Sequence, residues 1–165
     1  MNILLIIILT LFAVFSRLIP HPPNFTPLLA IALYAGISFK NKKLFIIPLV
    51  AMIVSDVFLG YHSSILWVYF SLLIIFYIGY VSFKKYSFTN LILLSIISSL
   101  MFFILTNFGV WIIGYPKTFE GLMACYIAAI PFFHNTLFST ILFSTIFHFS
   151  YKYSILVFDT KKELI

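Results

Sequence analysis

Three lysine clusters divide this chain into apolar runs, most of them long enough to cross a bilayer. Eight of the ten basic residues fall at Lys40/Lys42/Lys43, Lys84/Lys85 and Lys152/Lys161/Lys162. The alternate connections, around Pro20–Pro27, Tyr61–Ser63 and Tyr115–Lys117, carry only Arg17 and Lys117. Lysine and arginine in short loops stay on the cytoplasmic side of a membrane. The alternation therefore predicts an all-α, polytopic membrane protein: a six-helix bundle with both termini in the cytoplasm and the lysine-poor loops outside.

Composition agrees with this. The chain is 63% hydrophobic and 8% charged, with a mean hydropathy of +1.16, whereas about a quarter of a soluble domain is charged. Six spans in 165 residues leave almost nothing outside the bilayer, so a single integral membrane domain over residues 1–165 is expected. Topology and attraction to the inner leaflet account for the net charge of +6, which gives no warrant for a nucleic-acid partner. Cys125 is the single cysteine, which excludes an internal disulfide. The opening MNILLIIILTLFAVFSRLIP has no basic start and no small-residue cleavage site, and reads as a retained first span.

The spans are expected at about residues 3–19, 27–39, 44–60, 64–83, 90–114 and 126–151. Span one stops at Pro20, and HPPNFTP (His21–Pro27) cannot be helical with three further prolines in it. Span two is too short, near 20 Å by its rise per residue, for a hydrocarbon core of roughly 30 Å. Either the proline loop dips into the membrane inside protein or this helix is a buried half-span. Thr118 is positioned to cap a helix opening with Glu120. The pattern from Phe119 to Tyr151 is too long for one straight span, so an interfacial or tilted first turn or two is expected before span six. Pro131, inside span six, leaves the Ile127 carbonyl without its helical donor and predicts a kink.

Polar side chains within a membrane are expensive and mark candidate sites. Nearly all of them lie toward the lysine-poor side. Asp56 is near the end of span three, and Asn107 lies in span five with Trp111 one turn away on the same face. Arg17 ends span one, His21 and Asn24 occupy the proline loop, His62 is in the next loop, and His134 and Asn135 follow Pro131. Asp56 either pairs structurally with Arg17 or touches a substrate, and Asn107 is either interhelical glue or a ligand contact. His134 and Asn135 either bond the carbonyl freed by Pro131 or face a pocket. Trp67 and Trp111 suit an interfacial belt as well as a stacking platform, and Lys117 and Glu120 suit a solvated pair. The series Thr136, Thr140, Ser144, His148, with Ser95/Ser99 and Ala32/Gly36, forms small-residue packing stripes.

No Walker, GxSxG, HExxH or paired-cysteine motif is present. ATP hydrolysis by this chain alone is excluded; no enzyme activity, metal or cofactor is expected. The stretches SRLIPHPPNFTPLLAIALYAG (Ser16–Gly36), DVFLGYH (Asp56–His62) and TNFGVWIIGYPKTFEGLMACYIAAIPFFHNTL (Thr106–Leu137) resemble an uncharacterised bacterial family of transport proteins. That family is similar to the substrate-binding S components of energy-coupling-factor vitamin transporters. The resemblance implies a six-helix bundle in the bacterial inner membrane with an outward-facing pocket for a vitamin-sized molecule. It also implies partners, a transmembrane coupling subunit and ATPase subunits. Many S components carry Ala-x-x-x-Ala on the first helix for docking; here only Ala13 stands at a comparable place. On this reading Arg17, Asn24, Asp56, Asn107, Trp111, His134 and Asn135 line the pocket, with Arg17 countering either Asp56 or an anionic substrate. The alternatives are a structural subunit of a larger membrane complex and a membrane enzyme built on Asp56 and His134.

Overall fold

The first helix stops where proline forbids it to continue. In the computed structural model, which describes residues 3–38, 42–82 and 87–163, α1 spans Ile3–Leu18, just short of Pro20. The proline segment 20–27 is irregular, as its composition demands. Then come α2 (Leu28–Ser38), a 3-10 turn at Lys42–Phe45 leading into α3 (Ile46–Leu59), α4 (Ile65–Ser82), α5 (Phe88–Gly114) and α6 (Phe119–Glu163). There is no strand among the described residues. The expected ends of spans two and four, Phe39 and Phe83, lie outside the described residues, as do Lys40, Lys84 and Lys85.

Three helices, α4, α5 and the Phe119–Tyr153 part of α6, are long and apolar enough to cross a membrane. Only 22–28% of each apolar window is buried inside the bundle, so most of their apolar side chains face outward. Leu66 (75% exposed), Leu93 (54%) and Phe138 (66%) are examples. Large outward-facing apolar surfaces of this kind suit lipid and would be a liability in water. This is a membrane protein.

The short second helix is enclosed by the others. Every residue from 27 to 37 is buried, and α2 packs against α4 most extensively, then α6, α3 and α5. At 11 residues, about 16 Å by its rise, α2 has no amphipathic face because it has no outward face. Of the two readings open for this segment, the buried half-length helix is the one the fold adopts.

Packing of α2 on α4 is backbone against backbone. A Cβ added at Gly36 would overlap the Phe76 carbonyl oxygen and sit 2.7 Å from the Tyr80 nitrogen. One added at Gly79 would overlap the Leu33 carbonyl oxygen and sit 3.0 Å from the Ile37 nitrogen. The two glycines face each other and remove the side-chain layer between the helices, the membrane form of close helix approach.

α6 opens at Phe119, beside the Glu120 expected to open it, and continues through Pro131 to Glu163 as one helix. Its N-terminus is capped as expected, with the Gly121 N–H donating to Thr118 Oγ1 at 3.1 Å. The 45-residue helix, about 68 Å long, is more than twice the thickness of a hydrocarbon core. The small-residue stripes are packing surfaces, as their spacing predicts. Ser95, Ser99, Thr136 and Thr140 are buried, yet each hydroxyl donates to the carbonyl four residues back in its own helix, at 2.7–2.9 Å. They contribute small volume and close approach rather than cross-helix bonds.

The glycine contact generates the first prediction. Gly36→Ala and Gly79→Ala each force two backbones apart and should destabilise the protein by about 1–3 kcal/mol. Gly114→Ala, where an added Cβ meets nothing within 4 Å, should stay within about 0.5 kcal/mol. Unfolding followed in mild detergent checks both, and equal effects at all three sites would remove the backbone-contact account.

Candidate functional site

Charge inside a membrane protein is tolerated where it is paired. Arg17, at the C-terminal end of α1, reaches across to α3. Its Nη1 donates to Asp56 Oδ1 at 2.8 Å, to Ser55 Oγ, and to the Met52 carbonyl at 3.3 Å. Tyr69 of α4 donates its hydroxyl to the other carboxylate oxygen, Asp56 Oδ2, at 2.9 Å. Both oxygens of Asp56 are therefore occupied, and the residue is 1% exposed. Three helices meet on one carboxylate. Asp56 is the partner of Arg17, which is one of the two roles left open for it.

Beside this pair a cavity of about 310 Å³ opens at the end of the bundle that carries the α1–α2, α3–α4 and α5–α6 connections. Its polar wall includes Arg17, His21, Asn24, His62, Thr106 and Asn107, and its apolar wall includes Met52, Phe102, Phe103 and Phe133. A few polar groups set among aromatic and aliphatic side chains is the usual make-up of a small-molecule site, and the volume lies at the small end of the usual range.

The expected site residues divide into two groups. Arg17, Asn24 and Asn107 line the cavity, joined by His21 and His62. The Asn107 side-chain amide donates to the Phe103 carbonyl one turn back at 2.7 Å. Asp56, Trp111, His134 and Asn135 are not on the cavity wall. Asp56 lies behind Arg17. Trp111 donates Nε1 to the Pro116 carbonyl at 3.0 Å and thereby helps fold the α5–α6 connection. His134 is exposed, with its ring beside that of Phe133.

Asn135 has a different partner from the carbonyl freed by Pro131. Its Nδ2 donates to the Pro23 carbonyl at 3.0 Å, and one turn further on Ser139 Oγ donates to the Asn24 carbonyl at 3.4 Å. α6 therefore holds the proline loop in place over the cavity. Within that loop the Phe25 N–H donates to the Pro22 carbonyl at 2.9 Å, and Asn24 adopts a left-handed backbone (φ 62°), a conformation asparagine tolerates better than most residues. Lys117 also departs from the expected pair with Glu120. Its ammonium donates to the Trp111 and Tyr115 carbonyls at 2.9 and 2.7 Å, neutralising the C-terminal end of α5.

Sequence reasoning missed the apolar wall and Tyr69. The phenylalanines are among 21 in the chain, and nothing in their spacing distinguishes wall from core or lipid face. Tyr69 lies 13 positions beyond Asp56, and its hydroxyl meets the carboxylate only once α3 and α4 are packed. Among the described residues no group of three or more His, Cys, Asp or Glu side chains gathers as a metal site would require.

The pairing makes a prediction. Asp56→Asn leaves the Arg17 charge without its counter-ion and should destabilise the protein by about 3 kcal/mol; Tyr69→Phe should destabilise it by about 1 kcal/mol. Replacing both charges together, Arg17→Met with Asp56→Asn, should recover most of the first loss. Additive losses in this cycle, read by unfolding in detergent, would mean that the two residues do not act as a pair.

No curated protein and no solved structure matches the chain. One protein family does: residues 1–159 match DUF6580, described as a family of unknown function. That match covers nearly the whole sequence, and the chain belongs to this family.

Proposed function

We propose that this protein binds a small, vitamin-sized molecule on the outer side of a bacterial inner membrane and delivers it inward, in the manner of the S components of energy-coupling-factor transporters. On this reading it crosses the membrane six times with both termini in the cytoplasm. A transmembrane coupling subunit and ATPase subunits supply the energy this chain has no motif to generate. The observation that carries the reading is the cavity of about 310 Å³ with its mixed polar and aromatic wall. Residues of two lysine-poor connections, α1–α2 and α3–α4, line it, while in the sequence the lysine clusters fall toward the other ends of the helices. A pocket at the lysine-poor end faces outward by the positive-inside rule.

The clasp between α6 and the proline loop supports capture as well as binding. Two hydrogen bonds to loop carbonyls, from Asn135 and Ser139, are few enough to open and re-form as a molecule passes. The loop itself is stiff because proline fixes its backbone, so it moves as a unit. Delivery inward then requires the bundle to reorient against its partner.

Two measurements test this. Mass spectrometry of protein extracted in mild detergent should find one small organic molecule in near-stoichiometric amount. Thr106→Leu with Asn107→Leu, which makes part of the polar wall apolar, should lose that molecule while remaining folded. A chain that carries no molecule and co-purifies in fixed ratio with the subunits of another membrane assembly would instead be a structural subunit. For orientation, a cysteine at Tyr61 should react with a membrane-impermeant maleimide in intact cells, and one at Lys84 only after the membrane is opened. The reverse pattern would turn the cavity toward the cytoplasm and remove the uptake reading.

A further inference from the structure

We infer that the molecule taken by this cavity is an apolar or aromatic carboxylate, whose carboxylate docks on the unoccupied edge of the Arg17 guanidinium; this rests on the reading of the cavity as a ligand site. A guanidinium offers five N–H donors in a planar fork. Arg17 uses Nη1 alone for Asp56, Ser55 and Met52. Among the described residues its Nη2 and Nε have no partner, and the side chain is 15% exposed on the cavity wall. Nε and Nη2 form the edge that receives a carboxylate with two parallel bonds. Asp56 and Tyr69 hold the guanidinium from behind, so the open edge is presented in one orientation, which lowers the ordering cost of binding.

The sign of the charge follows from what the wall lacks. No aspartate or glutamate lines the cavity, while Arg17 and two imidazoles, His21 and His62, do. Asp56 is the nearest acid, but both its oxygens are taken and it is 1% exposed, so it cannot serve a bound cation. An ammonium group entering here would meet guanidinium and imidazole with no counter-charge. A neutral molecule would leave two guanidinium donors facing an apolar wall, which is costly where water is excluded. Met52, Phe102, Phe103 and Phe133 supply the surface for the rest of the molecule.

Wild-type protein in phosphatidylcholine nanodiscs is titrated calorimetrically with aromatic acids, each beside its own amide and amine: benzoate, benzamide and benzylamine, and the indole-3-acetate series. At least one acid should bind about ten-fold or more tightly than its amide, with the amine not binding. Arg17→Lys keeps a cation for Asp56 but has no second donor edge, so it should bring the acid-to-amide affinity ratio down toward one. Should that variant not fold, the acid-to-amide ratio of the wild-type chain decides alone. Amides or amines binding as tightly as acids would overturn the carboxylate assignment and leave the cavity a ligand site. No binding by any of the three classes would overturn both. Acid binding that disappears when phosphatidylglycerol replaces phosphatidylcholine would make a lipid headgroup the occupant and overturn the assignment of a soluble carboxylate.

Discussion

The contact between Arg17 and Asp56 governs the cavity end of this protein. Neither charge could stay buried among apolar helices alone, since moving an isolated ion out of water costs several kcal/mol even after relaxation. Together they bring the C-terminal ends of α1 and α3 side by side, and Tyr69 adds α4 to the same carboxylate. The ion pair therefore does more than neutralise charge. It sets the position of the guanidinium on the cavity wall and decides which of its edges stays open.

Elsewhere the bundle is assembled by shape. α2 and α4 touch through Gly36 and Gly79, and Gly109 leaves room for the Trp67 indole, which a Cβ there would overlap. Ser95 and Ser99 of α5 and Thr136 and Thr140 of α6 direct their hydroxyls into their own helices. In lipid no hydrophobic force draws one apolar helix to another, so packing of small residues carries the association. Among the described residues several polar bonds that cross between segments lie near the cavity. They include Arg17 to α3, Tyr69 to Asp56, and Asn135 and Ser139 to the proline loop.

Much of the helix layout could be read without coordinates. Four prolines within 20–27 forbid a helix there, and the observed boundary at Leu18 follows. Thr118 announces the start of α6 because its hydroxyl satisfies an otherwise unpaired N–H. Pro131 lies inside α6, and the helix runs on through it packed along α5, because the loss of one donor does not end a long packed helix. Of the seven expected site residues, Arg17, Asn24 and Asn107 reach the cavity wall. That the other four lie off this wall has a common cause. Depth along a helix is legible in sequence, but the direction of a side chain around the axis is set by its neighbours, and the apolar background here is too uniform to reveal it.

What the sequence determined by itself is a one-dimensional matter: which stretches are too apolar to remain in water, where proline stops them, and which end of each bears lysine. These follow from solvation and backbone sterics, which act on every segment separately. Only the tertiary structure decided that α2 lies enclosed, that Asp56 is closed on both oxygens and withdrawn behind Arg17, and that Asn135 holds a loop more than a hundred residues away. Those outcomes depend on which faces meet. Facing is a property of the packed helices, and no single helix carries it.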